Sequence, residues 1–207
     1  MTVRVLPCGP RAVLAEVDGT ADAAALHAWL TAAAIDGVRA IVPAARTVLI
    51  EVEPDRLQVV RDRLARFTPV ARPVQSVYAE VVEVPVVYDG ADLDAVAAAC
   101  GMTVGEVAHR HSAPTYTAAF CGFSPGFAYL IGGDAALQLP RRAEPRTRVP
   151  AGSVAIAGEF SAVYPSASPG GWHLLGHTTL DIWNTERAQP ALIAPGTRVR
   201  FRPARAR

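Results

Sequence analysis

The second half of the chain carries the pattern that most restricts its fold. From Tyr116 onward, short apolar runs recur at 116–121, 153–157, 161–164, 172–176, 179–183, 191–194 and 197–201, with Gly and Pro between them. Such runs are too short for helices, and the Gly and Pro positions enforce turns. Many short strands with frequent turns predict a closed or nearly closed β-barrel. The stretch from His111 to Gly133 holds no Asp, Glu or Arg and has the length of a membrane span. Pro114, Gly122, Pro125, Gly126, Gly132 and Gly133 forbid a continuous helix there.

The first half reads differently. Residues 2–6 and 12–17 alternate as two short strands, split by the turn-like Pro7-Cys8-Gly9-Pro10. Asp22 to Ala34 fits a helix with Leu26, Trp29, Leu30 and Ala33 on one face, stopped by Gly37. A strand pair at 38–43 and 47–52 follows. Pro54 then opens a helix with Leu57, Val60, Leu64 and Phe67 inward and Arg61, Arg63 and Arg66 outward. The order ββαββα suits a small sheet with helices on one face. Thr68 to Pro73 reads as a linker, and Val77–Val87 as a β-rich run. Two helices come next, Asp92–Cys100 closed by Gly101, and one whose Thr103 and Glu106 form a capping box. The class is therefore α+β. A small N-terminal α/β sandwich-like domain spans residues 1–75, and a β-barrel domain spans residues 76–207.

Composition removes several chemistries. All 20 residues counted as Lys+Arg are arginine. A P-loop lysine, a Schiff-base lysine and a pyridoxal attachment site are thereby excluded. Any phosphate or carboxylate held here must be met by Arg, His, a metal or backbone N–H groups. The formal net charge of +1 points neither to nucleic acid nor to a membrane surface. Cys8, Cys100 and Cys121 are scattered and odd in number, so neither a disulfide framework nor a zinc site is expected. The first ten residues lack an apolar signal core, and the expected location is cytoplasmic.

Gly122-Phe-Ser-Pro-Gly126 matches the G-x-S-x-G nucleophile elbow. That elbow uses the N–H of the residue after the serine for its oxyanion hole, and Pro125 has none. The motif is read as a tight turn instead. Arg141, Arg142, Arg146 and Arg148 lie between Pro140 and Pro150. Either they are a solvated loop, or the prolines stiffen a grip for an anion that Arg forks match bidentately. Ala151-Gly152-Ser153 would add backbone donors and a hydroxyl. Ser168-Pro-Gly-Gly-Trp172 repeats the Ser-Pro-Gly theme, with Gly170 and Gly171 permitting close approach and Trp172 either stacking a ring or plugging the barrel. His111 is either a general base or a structural histidine. His173 and His177 share a strand face without a third ligand, so no metal centre is expected. Glu106, Asp134, Glu144, Glu159 and Asp181 form no obvious carboxylate pair.

Together, Gly122-Phe-Ser-Pro-Gly-Phe-Ala-Tyr-Leu130, Pro-Arg-Arg at 140–142, Val-Pro-Ala-Gly-Ser-Val at 149–154, Ile-Ala-Gly at 156–158, Tyr164-Pro165 and Ser-Pro-Gly-Gly-Trp at 168–172 resemble one family. It comprises the B subunit of bacterial 5-oxoprolinase, the Kip-type inhibitor of a sporulation histidine kinase, and subunit 1 of allophanate hydrolase. The resemblance implies a cyclophilin-like barrel. It also implies work beside an A-type subunit and a C-type subunit related to allophanate hydrolase subunit 2, opening the lactam of 5-oxoproline to glutamate. The implied co-substrate is ATP, with Mg²⁺. Catalytic roles would fall to His111, Arg142 and Arg146. Substrate or ATP would meet Phe123, Pro125, Gly126, Arg148, Pro150, Ala151, Gly152, Ser153, Ser168, Gly170, Gly171 and Trp172. The alternatives are a non-enzymatic kinase inhibitor of the Kip type, and an allophanate hydrolase-like subunit with another small amide. Two stretches depart from the family pattern: Glu159-Phe160-Ser161-Ala162, where a neutral Gln is missing, and His177, where relatives often carry Arg.

Overall fold

Alternating burial builds the first sheet. The computed structural model describes residues 3–67 and 81–205. The chain divides into two units, Met1–Gln75 and Ser76–Arg207. In the first unit, β1 (Arg4–Pro7), β2 (Ala12–Glu16), β3 (Val38–Pro43) and β4 (Thr47–Val52) form an antiparallel sheet in the order β1-β2-β4-β3. Val13 and Ala15 of β2, with Val48, Ile50 and Val52 of β4, point to one face. Helices α1 (Thr20–Ala33) and α2 (Leu57–Ala65) cover it with Leu26, Leu30, Val60 and Leu64. Ala34, rather than Gly37, takes the left-handed turn that ends α1. The linker expected at 68–73 lies outside the described residues.

The second unit starts with β5 (Val81–Val86), the described part of the run expected at 77–87. Two helices follow, α3 (Leu93–Cys100) and α4 (Val104–Ser112). Gly101 in the left-handed region ends α3. Both halves of the capping box are formed at α4, Thr103 N–H to Glu106 Oε2 at 2.7 Å and Glu106 N–H to Thr103 Oγ1 at 3.2 Å. Eight strands complete the unit: β6 (Tyr116–Cys121), β7 (Ala128–Ile131), β8 (Arg146–Val149), β9 (Ser153–Ala157), β10 (Phe160–Val163), β11 (Ser168–Gly170), β12 (His173–His177) and β13 (Arg198–Pro203).

Seven of the strands in this unit form one sheet in the order β12-β9-β10-β7-β6-β13-β5. Every neighbouring pair is antiparallel except β13 with β5. A single bridge joins the two ends: Val87 and His177 exchange N–H···O bonds, both 2.9 Å. The sheet is thereby a nearly closed barrel. Val84, Val86, Leu130, Val154, Val163, Val199 and Phe201 fill its interior. Over part of its outer face lies the two-stranded ribbon β8–β11, above Phe127, Ala155, Tyr164 and Trp172.

Two expectations are corrected by the strand pattern. The runs at 179–183 and 191–194 are not strands; they meet only in the bridge Trp183–Ala191. Asn184 diverts that chain into a turn, its side chain accepting the Glu186 N–H at 2.9 Å. Conversely, the arginine segment and the second Ser-Pro-Gly are strands, β8 and β11, rather than loops. No helix among the described residues is long and apolar enough to cross a membrane.

Candidate functional site

The ribbon β8–β11 carries the arginines. Arg146 pairs across it with Gly170, and the Arg142 N–H donates to the Gly171 carbonyl at 2.8 Å. Both side chains converge on Asp92, just ahead of α3, a residue that no motif in the sequence marks. Arg146 grips it bidentately, Nη1 to Oδ2 at 2.8 Å and Nη2 to Oδ1 at 2.7 Å. Arg142 Nη1 donates to Oδ1 at 2.5 Å, and the Leu174 N–H donates to Oδ2 at 2.8 Å. The Asp92 side chain is only 3% exposed, whereas those of Arg142 and Arg146 are 32% and 25% exposed. Burial alone would raise the Asp92 carboxyl. The hydrogen bond from Arg146, the Leu174 amide and the two guanidinium charges outweigh it, so its pKa lies below the ordinary value. Charge-assisted, bidentate bonds of this kind fix rotamers as well as charge.

On the ribbon and the segments flanking it, Arg142 Nε, Ser168 Oγ and His173 Nδ1 are buried without a partner among the described residues. The Nε2 of His173 lies 2.9 Å from the Pro140 carbonyl. That oxygen can only accept, so Nε2 carries a proton and, in the neutral ring, Nδ1 offers a lone pair. Asp92 goes unnoticed in the sequence because it reads as an ordinary acid at a helix start. His173 stands out there only as a rejected metal ligand.

Other expected site residues serve the fold. The Gly152 N–H donates to the Tyr164 carbonyl at 2.8 Å, and the Ser153 N–H to the Pro150 carbonyl at 3.4 Å. These two amides are therefore not free to cradle an anion, which corrects that expectation. Gly152, at φ +79°, lies where a Cβ would run into the Thr178 carbonyl. Gly170 covers the Tyr164 hydroxyl, which bonds the Trp172 backbone. Gly170→Ala should therefore destabilise the barrel unit by about 1–3 kcal/mol, an overpacking cost, read by thermal unfolding. Trp172 is buried edge-on against Phe127 and Tyr129, at 5.4 and 5.6 Å between centroids. Of its two readings, the plug holds. Gly126 is buried against Trp183. Pro125, Arg148, Pro150 and Ala151 are exposed. Phe123 is 61% exposed, at φ +69°.

His111 belongs to the core. It is fully buried, with Nδ1 2.8 Å from the Tyr88 hydroxyl and Nε2 2.8 Å from Ser161 Oγ. Ser161 in turn reaches the Ala155 carbonyl at 3.2 Å. The consistent assignment has Nε2–H donating to Ser161 and Nδ1 accepting from Tyr88. Burial pushes its pKa down to about 3. A neutral ring with both nitrogens engaged and no solvent face cannot exchange protons with an outside molecule in this structure. That corrects the general-base reading. The family departures fall into place around it: Ser161 holds His111, Phe160 stacks edge-on to Phe120 and Tyr129, and Ala162 packs under the ribbon. His177 Nδ1 meets Asp89 at 2.8 Å beside the closing bridge.

A separate cleft of about 630 Å³ runs along α4, between Glu106, His109, Arg110 and Gly132–Asp134. Its charges are already matched internally, Arg110 to Asp134 at 2.8 Å and Glu106 in the capping box. The arginine ribbon, with orphaned donors and acceptors, is the stronger candidate. Among the described residues no group of His, Cys, Asp and Glu is arranged to hold a metal ion. Nor does the Arg142–Arg146–Asp92 cluster by itself match a nucleotide triphosphate, because its two guanidinium groups share one carboxylate and the Gly152 and Ser153 amides are committed.

Residues 3–193 match the family model described as "Carboxyltransferase domain, subdomain C and D". The chain is 51% identical to the 5-oxoprolinase B subunit of Escherichia coli O157:H7 over 125 residues, 59% of this chain and 57% of that protein. It is 39% identical to the 5-oxoprolinase B subunit of Haemophilus influenzae over 159 residues, 71% of this chain and 75% of that protein. The crystal structure of TTHA0988 superposes with a TM-score of 0.77 at 34% identity, covering 100% of this chain and 41% of that one. The chain thus spans little more than half of the E. coli relative and under half of TTHA0988.

Proposed function

This chain belongs to the carboxyltransferase-domain (subdomain C and D) family that includes the B subunit of 5-oxoprolinase, and from that premise we propose that it is the B-type subunit of a 5-oxoprolinase-type amidohydrolase. In this reading it works with A-type and C-type subunits in the cytoplasm. The complex opens the lactam C–N bond of 5-oxoproline, water adding to the carbonyl carbon and glutamate leaving. ATP is the co-substrate of the complex and is held away from the Arg142–Arg146–Asp92 cluster of this chain, which by itself does not match a triphosphate.

The observation that carries the reading is the Arg142–Arg146–Asp92 cluster with its unpartnered neighbours. A rigid, positively charged ribbon with orphaned polar atoms suits a small polar substrate better than a purely structural strap, since native folds leave few buried polar groups unsatisfied. In this reading the Arg142–Arg146 pair binds and orients the substrate, and the buried His111 transfers no proton to it. The test is glutamate formation and ATP hydrolysis by the co-purified A, B and C subunits, with and without 5-oxoproline. Stimulation of ATP hydrolysis by 5-oxoproline, together with glutamate release, is expected. A competent complex that shows neither overturns the proposal.

Phe123 supports a second reading, a docking module of the Kip type. A large aromatic that is both exposed and held at positive φ is a costly arrangement of the kind found at functional surfaces. Its loop is pinned by the Gly122 N–H to Phe127 carbonyl bond at 3.1 Å and the Phe127 N–H to Ser124 carbonyl bond at 3.0 Å. Phe123→Ala separates the two readings: kinase binding falls under the docking reading, whereas the substrate dependence of the complex persists under the enzyme reading.

A further inference from the structure

We propose that the Arg142–Arg146 pair is the seat of the substrate's single carboxylate rather than of nucleotide phosphates, and that Asp92 is the positioning residue that makes it so. This rests on the amidohydrolase reading and decides which anion the pair receives.

Charge comes first. Within the part-buried cluster, two guanidinium groups and one carboxylate leave a residual charge of +1, with Arg141 and Arg148 exposed outside it. One further monoanion neutralises the cluster, while a triphosphate carries several charges more. Arg146 uses both terminal nitrogens on Asp92, and Arg142 uses one, so each keeps N–H groups for a ligand. Asp92 lies behind them, nearly inaccessible, and the arginines present their outer parts to solvent.

Preorganisation comes second. Without Asp92 the two cations would repel each other and their long side chains would sample many rotamers. Asp92 joins them at one carboxylate, and the Leu174 amide holds that carboxylate in turn. Binding sites reach useful precision when the contacting groups are locked by such a supporting layer. The backbone that would be needed for a phosphate cradle is engaged elsewhere, through Gly152 and Ser153.

The complementarity extends to the rest of the ligand. 5-Oxoproline carries one carboxylate, one ring N–H and one carbonyl. The partly exposed Arg142 and Arg146 offer cationic donors, and the buried His173 Nδ1 and Ser168 hydroxyl add an acceptor and a hydroxyl once a side-chain movement uncovers them. These are the types of group that such a lactam needs, donors to its oxygens and an acceptor for its nitrogen.

The full chain is titrated by calorimetry with 5-oxoproline and with 2-pyrrolidone, the same lactam lacking the carboxylate. The wild type should bind 5-oxoproline at least tenfold more tightly. Asp92→Asn should reduce that preference to less than threefold while leaving the weaker 2-pyrrolidone affinity in place. Asp92→Glu, which keeps the charge but shifts the carboxylate by one methylene, provides the same comparison if the amide variant fails to fold. In the complete complex, either variant should raise KM for 5-oxoproline about tenfold and leave KM for ATP within twofold. Loss of stability with an undiminished carboxylate preference overturns the proposal, as does a wild type that does not distinguish the two lactams. A rise in KM for ATP alone also overturns it, by assigning the pair to the nucleotide. A wild-type chain that prefers 5-oxoproline, in a complex that forms no glutamate, overturns the amidohydrolase reading but not the carboxylate seat.

Discussion

Arg146→Ala is expected to destabilise the barrel unit by roughly 3 kcal/mol, near the lower end of what breaking a buried ion pair costs. The loss comes from Asp92, which is almost wholly buried and would keep only Arg142 and one amide as partners. Asp92→Ala should cost less, about 1–2 kcal/mol, because both arginines already reach solvent and can turn outward. The asymmetry distinguishes a buried carboxylate held by cations from cations held by a carboxylate. Urea unfolding of each variant measures it. Acid should narrow the gap. The Asp92 carboxyl titrates below its unfolded value, which is about 3.9. The stabilisation it supplies is therefore complete above that value and lost as pH falls through the lower, folded one. The deficit of Arg146→Ala relative to wild type should shrink on acidification below about pH 4. A deficit that is constant with pH would show that the arginine acts by packing alone.

The second large effect belongs to His111. Its folded-state pKa is about 3, against 6.5 for the free side chain, because burial excludes the charged ring. The unfolded chain therefore binds a proton that the folded chain refuses. Stability is fully present above about pH 6.5 and declines as pH falls toward 3, on the order of 4–5 kcal/mol across that window. His111→Phe removes the titration. The new ring fits among Tyr116 and Phe201, which lie 5.6 and 4.4 Å from the imidazole. It removes the acceptor of the Tyr88 hydroxyl, which keeps its bond with Ser112, and weakens the hold on Ser161, so the variant should be about 1–3 kcal/mol less stable at pH 7. Its stability should nevertheless vary less between pH 6.5 and 4 than that of the wild type. Equal slopes for the two proteins would show that His111 is not the group taking up the proton.

The barrel was legible because strand and turn chemistry are local. The runs at 116–121, 153–157 and 197–201 each correspond to a strand, and the Thr103–Glu106 capping box could be read from four residues. The ribbon was less so. Pro145 and Pro150 suggest a loop, but they flank β8, and the segment pairs at its own edge with β11. The site was least legible. Asp92 meets Arg142 and Arg146 across 50 and 54 positions, and no spacing rule connects an acid at a helix start with a distant strand. His111 looked reactive because a histidine after a capped helix carries no sign of its surroundings. Tyr88, Tyr116, Ser161 and Phe201, which enclose it, come from four separate segments.

Strand β13 carries one consequence for the making of the protein. It lies between β6 and β5, and it pairs in parallel with β5 from Val81–Arg198 to Val86–Pro203. Until residues 198–203 leave the ribosome, β5 has no neighbour on that side and the interior around Val84 and Val86 stays open. At a synthesis rate of about 5–20 residues per second, that wait is on the order of ten seconds. Pairings so distant in sequence also close slowly. A nascent chain thus carries an apolar, unpaired strand edge over that interval, and β13 is the strand that covers it.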